Sequence, residues 1–273
     1  GSPMNENQIF SMRSRSLCET RRRMKKTLVS GTVALMLAAA AGAVAAGSFS
    51  LGAATFVNFP VYKDADPQWY PLPVVQYEGE RFYVNGIEGG AYLFKEGGHS
   101  LRLGVSWMPM YFKTDRSDNA AVKKLDDRKT SLAGMLSYQW AGSFGKISAG
   151  VKADLLGESD GVLVGADYSY DFRFSKLVVT PSVGVLWAND KFNDYYFGIS
   201  RNEAARSGLD EYHPEGGLAY TAGVKTSYAI DEHWVAFGTL GAMRLSDDVK
   251  DSPMTESSAV NWTVGAGIMY RFD

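Results

Sequence analysis

The chain closes on the stretch AVNWTVGAGIMYRF, and its period of two constrains the fold more than any other feature. Val260, Trp262, Val264, Ala266, Ile268, Tyr270 and Phe272 fall on one face. Asn261, Thr263, Gly265, Gly267, Met269 and Arg271 fall on the other. Strict alternation of this kind is the mark of a β-strand with two unlike faces. Aromatic residues stand near both ends of the apolar face, where the two boundaries of a membrane would lie. SLRLGVSWMPMYF repeats the pattern, with Leu101, Leu103, Val105, Trp107 and Tyr111 against Arg102, Gly104 and Ser106. In GVLVGADYSYDF, Val162, Val164, Ala166, Tyr168, Tyr170 and Phe172 stand opposite Gly165, Asp167, Ser169 and Asp171.

A secreted β-sandwich would also alternate, but its outward face carries long charged side chains. Here the polar face is Gly and short polar groups, with scattered charges at Arg102, Asp167, Asp171, Lys225 and Arg271. The segments run roughly 10–14 residues, longer than ordinary strands and right for tilted membrane ones. The expected fold is all-β, a transmembrane antiparallel β-barrel of the bacterial outer membrane. Composition agrees, with 29 Gly, 15 Tyr, 14 Phe and 6 Trp.

The N-terminal region is set aside. From Met24 the chain reads MKKTLVSGTVALMLAAAAGAVAAG, a basic start, an apolar run and a small-residue cleavage site near Ala45 and Ala46. Residues 24–46 are thus expected to be a cleaved signal peptide, and residues 1–23 an upstream extension beginning with a cloning-type GSP. Residues 47–273 form the barrel. The lone cysteine, Cys18, lies in the excluded part, so no disulfide is expected. Removing 1–46 takes away seven Lys/Arg and two acids and moves the formal charge from −2 to −7. No nucleic-acid partner is implied.

Strands are expected near 48–58, 70–77, 80–84, 87–95, 99–113, 129–141, 144–156, 160–173, 176–188, 216–230, 233–245 and 258–272. Splitting the third from the fourth rests on Asn85-Gly86, a hairpin signal. The resulting count of about twelve is even, as it must be if both termini face the periplasm. AGS at 141–143, FSK at 174–176 and IDEH at 230–233 then become periplasmic turns. Residues 114–128, 189–215 and 246–257 become long external loops. The inward face suits either a wet, narrow channel or a plugged lumen.

One external loop contains FNDYYFGISRNEAARSGLDEYHP, which breaks the alternation. Ser200-Arg201-Asn202-Glu203 is a capping box, and Gly208 can take the left-handed position that ends a helix. A short helix is expected near 201–207. One reading folds it into the mouth with Arg201 and Arg206 facing the pore. The favoured one packs it on itself as a lid that stabilises the rim. Lumen candidates are Asp167, Asp171 and Arg271. His99, His213 and His233 lack a second His at ligand spacing, and no Ser/His or Asp/His signature marks a hydrolase. The acidic clusters KDAD, LDDRK and SDDVKD match no calcium loop and read as solvated. No enzyme activity, metal or cofactor is expected.

PVYKDADPQWYPLPVVQYEGERF, LDDRKTSLAGMLSY, YYFGISRNEAARSGLDEYHP, RLSDDVKDSPM and the closing YRF together resemble the MipA/OmpV family of outer-membrane proteins. The resemblance runs from about Phe49 to Phe272. It implies a non-enzymatic scaffold that joins a lytic transglycosylase of the MltA type to a bifunctional murein synthase, a penicillin-binding protein. Other members imply a narrow pore or uptake route for small solutes or antibiotics. The barrel's surroundings would be outer-membrane lipid and lipopolysaccharide. No catalytic residues come with the family. Asp273 after Phe272 departs from the aromatic ending usual for barrels. Murein enzymes work in the periplasm, so docking would fall to the turns near Gly142, Ser175 and Asp231, or to the stretch around Gly47. Such small surfaces imply a weak contact.

Overall fold

A computed structural model describes residues 47–272, and the expected signal peptide and upstream extension lie outside them. The strands are β1 (Ser48–Phe59), β2 (Gln68–Glu78), β3 (Phe82–Asn85), β4 (Glu88–Glu96), β5 (His99–Met108) and β6 (Ser131–Gly142). They continue with β7 (Gly145–Asp154), β8 (Val162–Ser169, resumed at Phe172–Phe174), β9 (Leu177–Ala188), β10 (Gly217–Ala229), β11 (Trp234–Arg244) and β12 (Val260–Phe272). Both pieces of β8 pair with β9, so they form one strand with a break at Tyr170 and Asp171. Each strand pairs antiparallel with its chain neighbours, and β1 pairs with β12 from Phe49↔Phe272 to Phe59↔Trp262. The sheet is therefore a closed barrel of twelve strands, the expected number.

Register fixes which side chains face the lipid. Phe59 opposes Trp262, Val57 opposes Val264 and Leu51 opposes Tyr270. In a water-soluble protein, so many large exposed apolar side chains would be anomalous. Here they form a band of Val164, Val183, Val185, Leu136, Leu240 and Ile268 between two aromatic girdles. Trp140, Phe172, Phe174, Trp234 and Phe272 mark one girdle, and Phe59, Trp69, Trp187, Tyr220 and Trp262 the other. This outward apolar band identifies a lipid-facing barrel and excludes the sandwich. Among the described residues no helix is long and apolar enough to cross a membrane.

Inward glycines make room for inward aromatics. A Cβ on Gly265 would meet the Phe56 ring, and one on Gly267 would meet the Phe237 ring. The same alternation therefore builds both the greasy outside and the hollow inside.

The connections divide by length. Residues 79–81, 97–98, 143–144, 175–176 and 230–233 are tight links at the turn end, which also holds both ends of the barrel sequence. At the opposite, loop end, residues 60–67, 109–130, 155–161, 189–216 and 245–259 are longer. The β3–β4 hairpin at Gly86 and Ile87 is the exception, a tight turn on the loop side.

Two local expectations are corrected. β5 stops at Met108 and does not reach 113, because Pro109 has no N–H to donate to a ladder. The loop 189–216 also holds a helix not expected from sequence, α1 (Asp190–Phe197), capped by Asn189 accepting from the Phe192 N–H at 3.1 Å. The expected helix follows as α2 (Arg201–Ser207).

Candidate functional site

The largest buried apolar cluster lies in the long loops, not between the strands. Val61, Phe112, Val122, Tyr196, Phe197 and Met254 pack together from four loops. Tyr62 stacks on Phe112 with ring centroids 4.0 Å apart, and its hydroxyl donates to the Tyr196 carbonyl at 3.1 Å. The Tyr196 hydroxyl donates in turn to the Lys129 carbonyl at 2.9 Å, and Ser252 Oγ to the Phe197 carbonyl at 2.6 Å. Burial pushes the Tyr62 phenol up from its ordinary value, so it remains a donor. These contacts make the loops a folded lid with its own core.

α2 is pinned to that lid by Glu203. Both halves of the capping box form: Ser200 Oγ accepts from the Glu203 N–H, and Glu203 Oε2 accepts from the Ser200 N–H at 2.9 Å. The other oxygen, Oε1, accepts from the Asp126 N–H at 2.9 Å and pairs with Arg128 at 3.0 Å. Both side chains of the pair are about 5% exposed, at 6% and 5%. Arg128 also donates to the carbonyls of Asp126 and Gly198, each at 2.9 Å. Burial alone would raise the Glu203 carboxyl. The N–H groups of Asp126 and Ser200 and the Arg128 guanidinium outweigh it and hold the group below its ordinary value. Gly208 ends the helix at φ 79°, as the sequence implies.

The arginines of α2 stay at the surface. Arg201 is 87% exposed and pairs with Glu211 at 3.5 Å. Arg206 pairs with Asp126 at 2.6 Å and donates to the Lys124 carbonyl. Neither lines the lumen, which corrects the reading that placed them at a pore constriction. The physical reason differs for the two: Arg201, two residues before the buried Glu203, falls on the opposite face of α2, while Arg206, three residues after it, shares the Glu203 side and is held there by Asp126 and the Lys124 carbonyl. Close by, His213 is clasped between Asp194 at 2.7 Å and Glu211 at 3.3 Å. These two carboxylates, Asp194 foremost, raise its pKa above the ordinary 6.5.

Beneath the lid the barrel is hollow. A cavity of about 980 Å³ is roofed by Tyr62, Phe192, Phe197 and Val249. A second, more polar one of about 870 Å³ lies toward the turn end. Asn85, Glu88, Lys152, Leu163, Leu186 and Lys225 line both, so the two meet at this level. Glu88 lies 3.8 Å from Arg102 and 3.8 Å from Lys152. Lys225 has no carboxylate partner among the described residues.

The remaining sequence candidates do not converge. Asp167 lines the turn-end cavity. Asp171 sits in the β8 break, paired with Arg173 at 2.7 Å and accepting from Thr180 Oγ1 at 2.8 Å. Arg271 takes an inward register position opposite Ser50 near the turn end and lines neither cavity. Sequence reasoning missed Arg128 and Lys225. The first was hidden in an acidic run taken as solvated. The second was one lumen charge among several.

Residues 51–272 match the family model described as MltA-interacting protein MipA. The chain belongs to the MipA family. The MltA-interacting protein of Escherichia coli K12 is 38% identical over 241 residues, covering 87% of this chain and 96% of that protein. The outer membrane protein YiaT of the same organism is 32% identical, covering 83% and 92%. OmpV of Vibrio cholerae is 28% identical, covering 83% and 87%. These MipA relatives are named for the outer membrane or for an interaction, not for a reaction. The protein is an outer-membrane barrel.

Proposed function

We propose that this barrel is a non-enzymatic scaffold in the outer membrane, holding a lytic transglycosylase of the MltA type beside a bifunctional penicillin-binding protein that synthesises murein. The observation that carries the reading is the 38% identity to a protein named for interacting with MltA, over nearly all of that protein's length. Short turns face the periplasm in barrels of this class, so the turn end meets the murein enzymes and the lid faces outward. That end offers a rim of mixed charge, with Glu80, Arg81, Glu96, Arg173, Lys176 and Glu232 all exposed. Interfaces of this polarity suit transient contacts, in keeping with enzymes that exchange partners as the wall grows.

The test uses the refolded barrel, residues 47–273, on a support. Retention of a purified transglycosylase of this type, and of a murein synthase from the same envelope at the same time, is the expected result. Retention of neither would remove the scaffold reading.

A further inference from the structure

The wall of the barrel is not complete on the loop side. β3 is only four residues long and pairs with β2 only through Gln76, Tyr77 and Glu78. The last backbone bond across this seam is Gly86 N–H to the Val75 carbonyl at 2.9 Å. Above it, Gln68 to Val74 have β1 on one side and no strand on the other. β4 rises further beside β5, to Glu88↔Ser106, with Trp107 N–H donating to the Ile87 carbonyl. A notch is left, bounded by β2, by the hairpin tip at Gly86 and Ile87, and by Trp107 to Tyr111.

The sequence of β2 fits such an edge. Backbone groups alternate sides along a strand, so Trp69, Pro71 and Pro73 direct theirs the same way as Val75, into the notch. Pro71 and Pro73 carry no N–H, which removes two donors where no ladder could pair them. A bare strand edge facing hydrocarbon costs several kcal/mol per unpaired group, so the prolines lower the cost of keeping the wall open. Only side chains cross the gap. Tyr70 Oη donates to the Pro109 carbonyl at 3.2 Å, and Gln68 Nε2 to the Tyr111 carbonyl at 3.1 Å.

The notch connects with the lumen. Pro73, Ile87 and Trp107 on the wall line the same 980 Å³ cavity as Lys225, Thr239 and Thr263 on β10, β11 and β12. The volume is at the upper end of ordinary ligand pockets. Its walls are mainly apolar, from Phe56, Leu72, Val74, Leu186, Phe237 and Met243. Where it meets the turn-end cavity lies Lys225, which has no carboxylate partner among the described residues. The lid roofs the axial way in, while Pro71 to Val75 lie within the apolar band, below the girdle residue Trp69.

We propose that the cavity is a binding site for a single-chain anionic amphiphile, which enters sideways from the membrane through the β2–β5 notch. Its chain lies along Leu72 and Val74 and its anionic head pairs with Lys225. This goes beyond the scaffold reading and does not depend on it.

The test is dodecanoate binding to the refolded barrel in lipid nanodiscs, with folding checked by heat-modifiable electrophoretic mobility. Saturable binding above that of empty nanodiscs is expected, with little binding of dodecyltrimethylammonium. Lys225→Gln should weaken dodecanoate about tenfold, the loss of one charge-assisted contact, while Lys225→Arg restores it. Leu72→Trp, which fills the cavity, should also weaken it, and Arg201→Gln on the lid should not. A diazirine-bearing dodecanoate should label Leu72, Ile87 or Trp107. No saturable binding, equal binding of the cationic amphiphile, an unaffected Lys225→Gln variant, or labelling confined to the outer girdles would each overturn the proposal.

Discussion

At the loop end, Tyr62, Phe112, Tyr196 and Met254 are 3% exposed or less, and a buried Arg128–Glu203 pair ties two loops together. At the turn end, links such as 143–144 and 175–176 bury no comparable core, and the charges of that end, Glu80, Arg81 and Lys176 among them, stand in solvent. The contrast shows where each kind of stability comes from. The turn end is held by the barrel's own ladder, whose hydrogen bonds the lipid makes obligatory. The loop end has no ladder beyond the strands, so its loops persist by burying aromatic rings and satisfying a buried charge, as a small globular domain does. Sequence can therefore vary in the turns with little structural cost, whereas the lid is sensitive to single atoms.

Substitutions should separate the two ends. The largest effect is expected for Arg128→Ala, which strands the Glu203 carboxylate in a buried site and costs the lid about 4 kcal/mol. Limited proteolysis should then cut within 189–216 while the barrel keeps its heat-modifiable mobility. Phe112→Ala removes the ring stacked on Tyr62 and should cost about 3 kcal/mol by the same assay. Ser200→Ala removes one half of the capping box, for about 1 kcal/mol. Ser175→Gly, in a turn where Ser175 already has φ 52°, should leave stability within about 0.5 kcal/mol. Equal protease sensitivity in all four variants would erase the distinction between the ends.

Acidity sharpens the same comparison. The Glu203 pKa is depressed on folding, so its contribution is present above the ordinary value of 4.5 and is lost as pH falls through the lower folded value. The lid should open to protease in that acid window, with the barrel intact. His213 has the opposite sign. Its pKa is raised, so its contribution is full below 6.5 and fades as pH rises through the folded value. An NMR titration of His213 should show the raised midpoint, and Asp194→Asn should lower it.

Much of this fold was legible because a membrane barrel writes its geometry along the chain. The alternation in Val260 to Phe272 gave both faces of β12, and Asn85-Gly86 marked the hairpin that makes the count even. The capping box placed α2 at Arg201–Ser207. The lid was legible only in part. Its helix has a local signal, but the Arg128–Glu203 pair joins residues far apart in sequence, and nothing local announces it. α1 was missed because its aromatic residues suit a packed loop as well as a helix. The notch lies between these cases. The prolines of YPLPVV are plain to see, but their meaning depends on how far β3 extends, which only the pairing reveals.

The most direct test of the account compares two altered barrels for retention of an MltA-type transglycosylase. In one, the links 79–81, 97–98, 143–144, 175–176 and 230–233 are replaced by Gly-rich turns. In the other, the lid segment 189–216 is replaced by a short linker, with barrel closure checked for both. If the turn end holds the partner, the first loses the enzyme and the second keeps it. Retention by the first together with loss by the second would contradict the account, because the partner would then be reading the lid.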